Sequence, residues 1–275
     1  AGVRGRFQTG PLEHEVVLSA NSFYQARASG LPATLSVTRS NIYSPTFSPN
    51  PIMPAARRYR QNDNTFTSYA ISDTISAFDK RVQLTLGLRK QFVDINNYTL
   101  QTGLIASRNR SDAITPVVGL VVKPLQNVSL YASYIEGLTA GTVVGNTFVN
   151  AGQVLPPFVT KQYEAGAKVD WGKLMTSVAI FQSTQASGIA DTATNTFTDN
   201  GETRYRGVEL NVAGEIVEGV RALGGITFLD SKLMRTANGT FDGNEAQGVP
   251  RVQANLGLEW DPGFVRNLTL FGRMI

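Results

Sequence analysis

Arginine and aromatic residues gather in one stretch of the chain, between residues 29 and 63, that lacks a regular pattern of apolar positions. The guanidinium group of arginine offers a rigid, planar set of donors, and tyrosine adds a hydroxyl and an aromatic face. Such residues suit a ligand with anionic or strongly accepting oxygens. Ordinary packing within the loop is the alternative interpretation. The candidate ligand-binding residues are Tyr43, Phe47, Arg57, Arg58, Tyr59 and Arg60.

The titratable residues do not form a catalytic set. The chain has one histidine, His14, and no cysteine. A zinc-binding helix would need a second histidine close by, and a serine hydrolase would need a nucleophile elbow that can reach His14. Neither is present around the segment LEHEVVL. We therefore expect no enzyme, no protein-bound metal and a structural role for His14.

The composition favours a β-structure with a neutral, polar interior. The 275 residues are 42% hydrophobic and only 17% charged, and no apolar run is long enough for a transmembrane helix. The net charge is +4, but lysine and arginine are scattered along the chain rather than clustered. Scattered charge argues against nucleic-acid binding. Any crossing of a membrane must be made by strands.

Strict alternation of apolar and polar residues is the main structural signal. Segments 81–89, 163–172 and 252–261 each place apolar side chains at every second position, which predicts strands with one apolar and one polar face. Trp171 and Trp260 occupy the same alternate positions as the apolar residues, and each lies beside a short link. A girdle of aromatic residues at a membrane–water interface would lie there. The polar phase of these and similar segments predicts charged residues that face a lumen: Arg89, Glu164, Lys168, Asp170, Glu209 and Glu259.

The links between strands differ in length in a way that separates a membrane barrel from a soluble sandwich. Short links are predicted at 10–13, 78–80, 124–126, 171–173, 216–219 and 262–266, and long ones at 29–63, 96–111, 139–158, 188–202 and 236–248. Alternating short turns and long loops are typical of an outer-membrane β-barrel. We predict an all-β, antiparallel transmembrane barrel of about twelve meander strands. The predicted strands are 1–8, 13–27, 64–77, 81–96, 112–123, 127–138, 161–171, 174–187, 203–215, 219–235, 250–260 and 266–275.

Seven segments, in order, resemble the barrel of TonB-dependent siderophore receptors, in particular the ferrichrome-type branch. They are GRFQTGPLEHEVVLSA, SNIYSP, YAISDTISAFDKRVQLTLGLR, YASYIEGLTAG, PPFVTKQYEAGAKVDWG, RYRGVELNVAGE and GVPRVQANLGLEWD. The resemblance implies a 22-stranded barrel around an N-terminal plug. The sequence shows neither the plug, the energy-coupling box nor the closing strands, so we expect residues 1–275 to be a partial barrel domain, covering roughly strands 8 to 19.

The resemblance also implies a location and a function. It implies a receptor in the bacterial outer membrane that takes up ferric siderophores with energy from the TonB complex. The iron would arrive already chelated, so no cofactor of the protein's own is expected. Outer-membrane lipid and lipopolysaccharide are the other expected partners, nucleic acid is not, and the receptor is expected to be a monomer. A passive porin-like channel and a soluble β-propeller or adhesin are the alternatives.

Overall fold

Twelve β-strands account for most of the chain in the computed structural model, which describes residues 1–30, 40–45, 58–100 and 102–275. The predicted Phe47 and Arg57 lie outside the described residues. The strands are β1 (Gly2–Thr9), β2 (Leu12–Gly30), β3 (Arg58–Ala77), β4 (Val82–Tyr98), β5 (Ile105–Leu125), β6 (Val128–Thr139), β7 (Phe158–Asp170), β8 (Leu174–Asp191), β9 (Thr196–Val217), β10 (Val220–Arg235), β11 (Val252–Trp260) and β12 (Leu270–Met274).

The strands form a single antiparallel sheet in which each pairs with its neighbours in sequence, from β1 to β12. This confirms the predicted fold class and meander topology. A three-residue 3₁₀ turn at Ala237–Gly239 is the only helical element of the described residues. None of the described helical segments is long and apolar enough to cross a membrane.

The pairing register sorts the side chains onto two faces with opposite chemistry. The row Leu84, Leu120, Ala132, Ala165, Ile180, Val208, Phe228 and Val252 runs across β4 to β11 on one face. We call this the outer face. Its large apolar side chains are exposed, as the 59% exposure of Ile180 illustrates. Lipid tails rather than protein would bury them.

The opposite face, which we call the inner face, is polar. The register places all six predicted lumen charges on it: Arg89, Glu164, Lys168, Asp170, Glu209 and Glu259. Several are already paired. Glu164 accepts a hydrogen bond from the Tyr131 hydroxyl at 2.7 Å, and Glu259 accepts one from Arg221 at 3.0 Å. These contacts give Glu164 and Glu259 a structural role within the sheet.

Some strands are longer than predicted. The loop predicted at 188–202 is wrong, because β8 and β9 continue through it and leave only residues 192–195 between them. The loop predicted at 96–111 shrinks to 99–104, and the short link predicted at 262–266 is a longer segment, 261–269. Strict alternation of link lengths therefore fails at these points. For the two extended hairpins, the physical reason is that strands beyond the bilayer have water on both faces, so their residues need not alternate.

Irregularities in the pairing are confined to the ends of strands. At the end carrying the longer loops, which we call the loop end, register shifts occur at Arg27/Ala28, Asn97/Tyr98, Ser187/Ile189 and Leu233/Arg235. At the opposite end, the turn end, they occur at Val122/Leu125 and Val220/Arg221. The middle of the sheet keeps a continuous register. A slip of one residue there would exchange the two faces.

The two tryptophans lie where the girdle was predicted, at the turn end. Trp260 is the last residue of β11, and its ring meets Phe264 edge-on with centroids 6.1 Å apart. Trp171 directly follows β7, and its Nε1 donates to Thr176 Oγ1 at 2.9 Å on the outer face. Amphipathic indole rings at this level suit a membrane–water interface.

His14 also lies on the outer face near the turn end. Its Nδ1 is 2.7 Å from Asp73 Oδ2, and its ring stacks on Phe7 with centroids 4.8 Å apart. Both contacts hold β2 to its neighbours β3 and β1, so they give His14 the structural role predicted for it. The sequence did not indicate that an aspartate of the apolar phase would be its partner.

Candidate functional site

The first three residues of β3 are the predicted candidates Arg58, Tyr59 and Arg60. Arg60 is the best defined of them. Its Nε donates to Asp63 Oδ1 at 2.8 Å, and a second guanidinium nitrogen pairs with the other carboxylate oxygen. The guanidinium lies over the Tyr98 ring, 4.5 Å from its centroid, and the Tyr98 hydroxyl donates to Asp63 Oδ2 at 3.0 Å. Much of the charge of Arg60 is therefore balanced within the protein.

Tyr43, the remaining described candidate, lies on a separate turn, Asn41 to Ser44. Its backbone N–H donates to Asn41 Oδ1 at 2.9 Å, and the backbone N–H of Ser44 donates to the carbonyl of Asn41 at 3.3 Å. The Tyr43 side chain is 94% exposed. The structure thus brings Arg58, Tyr59 and Arg60 together on one strand and presents Tyr43 to solvent on its own turn.

Asp63 should contribute strongly to this end of the sheet, because it is only 5% exposed and accepts bonds from both Arg60 and Tyr98. We expect Asp63→Ala to cost about 1–3 kcal/mol, since it leaves partly buried donors unpaired. Equilibrium unfolding in lipid vesicles would measure the loss. Asp112→Ala is the control, because it breaks the exposed Lys90–Asp112 ion pair and should cost less than about 1 kcal/mol. Equal losses for the two variants would contradict this assignment.

Residues 140–157, between β6 and β7, form an ordered loop at the loop end. Val143 and Val154 pair as a short antiparallel bridge, and Val144 and Leu155 are each only 3% exposed. At the base of the loop, Gly141 packs so closely against the carbonyl groups of Leu155 and Pro156 that a side chain there would overlap them. The loop is therefore closed at its base.

Two asparagines fix this loop to the sheet. Asn109 on β5, which is 2% exposed, donates to the carbonyl of Gly141 at 2.6 Å. Asn150 donates through Nδ2 to the carbonyl of Phe197 on β9 at 2.8 Å and accepts from the Phe197 N–H at 3.0 Å. The side-chain amide of Asn150 thus occupies the place that a backbone amide would take in strand pairing. The loop is held at both its base and its tip.

A cavity of about 310 Å³ lies on the inner face below the base of this loop. Its wall is formed by neighbouring positions of β2, β3 and β4, with Leu138 and Ala140 closing the side toward β6. Phe23 and Phe66 stack there with centroids 6.3 Å apart. The main polar side chains are those of Asn21, Ser68 and Gln91.

The alternation of apolar and polar residues does not predict this cavity. Phe23 and Phe66 belong to the polar phase of their strands, and they pair directly with each other across β2 and β3. Two aromatic residues in a polar phase were the available signal. The contribution of Leu138 and Ala140 could not be found in this way, because it depends on how β6 separates from β5 beyond Ile135.

Asp191 stabilises the tip of the β8–β9 hairpin by capping the turn 192–195. It is the last residue of β8 and lies beyond the part of that strand that would span a membrane. The Thr194 side chain and the backbone N–H of Ala193, 2.9 Å from Oδ1, hold the pKa of the Asp191 carboxyl below its ordinary value. Because the folded pKa is the lower one, this stabilisation is complete above about pH 4 and is lost as the pH falls through the folded value.

We therefore expect amide protection at Ala193 and Thr194 to stay constant down to about pH 4 and to drop as the pH falls further. Hydrogen-exchange protection factors, corrected for the intrinsic pH dependence of exchange, would measure it. Asp191→Asn keeps an acceptor oxygen but cannot titrate, so its protection should not depend on pH. A drop of the same size in that variant would show that another group is responsible.

Comparison with known proteins identifies the architecture. The family model described as "TonB dependent receptor-like, beta-barrel" matches residues 4–273. The chain is 37% identical to the ferrichrome receptor FcuA of Yersinia enterocolitica, over 100% of this chain and 37% of that protein. It is 30% identical to the probable TonB-dependent siderophore receptor PiuA of Acinetobacter baumannii, over 69% of this chain and 28% of that protein.

Among solved structures, the ferric preacinetobactin receptor BauA of Acinetobacter baumannii superposes with a TM-score of 0.85 at 36% identity, covering 99% of this chain and 42% of that one. The chain thus spans about two fifths of the length of the ferrichrome receptor FcuA and of the receptor BauA. Proteins of this kind lie in the bacterial outer membrane, so the outer face contacts lipid, the turn end is periplasmic and the loop end is extracellular. By the extent of the family match, the chain belongs to the TonB-dependent receptor β-barrel family, whose members are receptors and transporters rather than enzymes.

Proposed function

We propose that the receptor containing this chain captures a ferric siderophore at the cell surface and passes it through the lumen with energy from the TonB complex. The observation that carries the proposal is the sheet's division into an apolar outer face and a polar inner face. At the loop end, hydrogen bonds from Asn109 and Asn150 hold residues 140–157 in place. The names of similar proteins support it, because they include receptors for ferrichrome and ferric preacinetobactin.

Several finer parts of the proposal concern chemistry. The iron arrives chelated by the siderophore, so the protein supplies no cofactor and catalyses no reaction. Residues 1–275 form part of the barrel wall. Contact with TonB is made by a plug and an energy-coupling segment that do not belong to these residues. The first contacts with the ligand, on this proposal, are made by Tyr43, Phe47, Arg57, Arg58, Tyr59 and Arg60.

A further part concerns the membrane. The outer face carries charged residues toward its extracellular end, including Lys90 with Asp112, and Arg110, which donates to Asp94 at 2.9 Å. Arg206 follows on β9 and donates to Gln182 at 2.6 Å. We propose that this band meets the phosphate groups of lipopolysaccharide, and that the receptor is a monomer whose outer face is covered by lipid.

Growth on defined iron sources tests the proposal. A strain that lacks the intact receptor should fail to grow on at least one purified ferric siderophore under iron starvation, and the full-length gene should restore growth. A point variant of the TonB-contacting segment should not restore it. If the full-length gene restores growth on no siderophore of the panel, the iron assignment is wrong. If growth is restored without TonB, the protein is a passive channel.

A further inference from the structure

The cavity formed by Phe23, Phe66 and Gln91 lies on the inner face of β2, β3 and β4, toward the loop end. Phe23 is the twelfth residue of β2, which begins at the periplasmic turn. At ~3.3 Å per residue and a tilt of ~40°, this position lies ~30 Å above that turn. The apolar band of such barrels is ~25 Å tall, so the cavity opens near the extracellular surface of the membrane.

The lining is strongly aromatic and, among the described residues, uncharged. Phe23 is 56% exposed on the inner face, and it forms part of the cavity wall. The Asn21 and Gln91 amides and the Ser68 hydroxyl provide hydrogen-bond donors and acceptors but no charge. Arg89, the next inner-face residue of β4 toward the periplasm, lies outside the lining.

These features select for ligand charge. An anion that enters an uncharged cavity loses hydration without gaining a compensating charge, whereas an uncharged ligand loses far less. Phenyl rings favour flat or aliphatic groups, and amides favour carbonyl and hydroxamate oxygens. Three hydroxamates balance the charge of Fe³⁺, but three catecholates leave the complex strongly anionic.

We propose that the Phe23–Phe66–Gln91 cavity binds one face of an electrically neutral ferric hydroxamate complex. This inference rests on the proposed function and adds the chemical class of its ligand. Phe23 and Phe66 contact the organic part of the complex, and the side-chain amide of Gln91 donates a hydrogen bond to one of its oxygens. Asn109 is a positioning residue, because its bond to Gly141 fixes the segment that carries Ala140 against the cavity. The arginines near residue 60 act earlier and outside this cavity.

Binding measurements on the purified full-length receptor test the inference, with a neutral ferric tris-hydroxamate and an anionic ferric tris-catecholate as probes. We expect the hydroxamate to bind more tightly. Phe66→Ala should weaken hydroxamate binding by about tenfold or more, because it removes a large apolar contact. Gln91→Leu should weaken it by several-fold, since the shape is kept and the hydrogen bond is lost.

Two control variants separate the cavity from its surroundings. Tyr69→Ala removes an aromatic ring from the same strand as Phe66 but from the outer face, where Tyr69 is 55% exposed, so hydroxamate affinity should not change. Arg89→Gln removes the nearest inner-face charge on β4 and should also leave hydroxamate affinity unchanged. Folding of every variant is checked by heat-dependent mobility on gels.

The possible failures are distinguishable. If the unaltered receptor binds neither complex, this inference fails, whereas the proposed function fails only if growth is also restored on no siderophore of the panel. If it binds the hydroxamate but folded Phe66→Ala binds equally well, only the cavity assignment is overturned. Tighter binding of the catecholate, or loss of binding in Arg89→Gln, would show that charge holds the ligand and would overturn the neutral class.

Discussion

Alanine in place of Gly141 is expected to lower ligand affinity more than tenfold while the barrel remains folded. The added Cβ would overlap the carbonyl oxygens of Leu155 and Pro156, which are rigid backbone atoms and cannot rotate away. Relief of such overpacking costs about 1–3 kcal/mol and requires the base of the loop to open. Opening would also move Gly141 away from Asn109 and detach Ala140 from the cavity wall.

Two measurements on the full-length receptor would check this result. Limited proteolysis reports whether residues 140–157 become accessible, independently of any ligand, and a binding titration reports the loss of affinity. Gly145→Ala is the matched control, since it lies in the same loop and a Cβ there meets nothing within 4 Å. If Gly141→Ala were cleaved no faster than Gly145→Ala, the closed base would not hold the loop in place.

Arginine in place of Ile226 is expected to destabilise the barrel in the bilayer by about 2–4 kcal/mol. Ile226 lies on the outer face of β10 between Leu210 of β9 and Ala254 of β11. It is the seventh residue of its strand, counted from the periplasmic turn, which places it near the middle of the apolar band. Neither paired neighbour can neutralise a charge there, so the guanidinium would have to be desolvated or reach for the interface.

The adjacent residue provides a stringent control. Thr227 lies on the inner face, opposite Glu209, so arginine at this position gains an acidic neighbour in a polar lumen. Thr227→Arg should change the free energy of unfolding by less than about 1 kcal/mol. Equilibrium urea unfolding in lipid vesicles compares the two variants. Should they lose equal stability, or should Thr227→Arg lose more, the assignment of the two faces would be reversed.

Much of the fold could be predicted from the sequence because the bilayer imposes one strict rule on it. Within the apolar band, every second side chain must suit lipid, as Val82, Leu84, Leu86 and Leu88 do, and this gave all twelve strands and the orientation of their faces. Beyond the band the rule no longer applies. The strands of the β8–β9 hairpin continue to Asp191 and from Thr196, although polar residues on both faces there predict a loop.

The candidate site could be predicted only in part, because its side chains come from distant segments. Arg60 was identified by its residue type, but its partners Asp63 and Tyr98 depend on the pairing of β3 with β4. The roles of Asn109 and Asn150 could not be predicted. Asparagine is common in loops, and only the folded chain shows which carbonyl and N–H groups it reaches.

The position of the register shifts has a consequence for how this wall can change in evolution or be altered by design. Between the shifts, an insertion of a single residue would turn the apolar side chains of a strand toward water and its polar ones toward lipid. Beyond them, at the extracellular tips, added residues leave the alignment below unchanged. Epitope tags or spectroscopic labels inserted at residues 192–195, above the shift at Ser187/Ile189, should therefore be tolerated whether their length is odd or even.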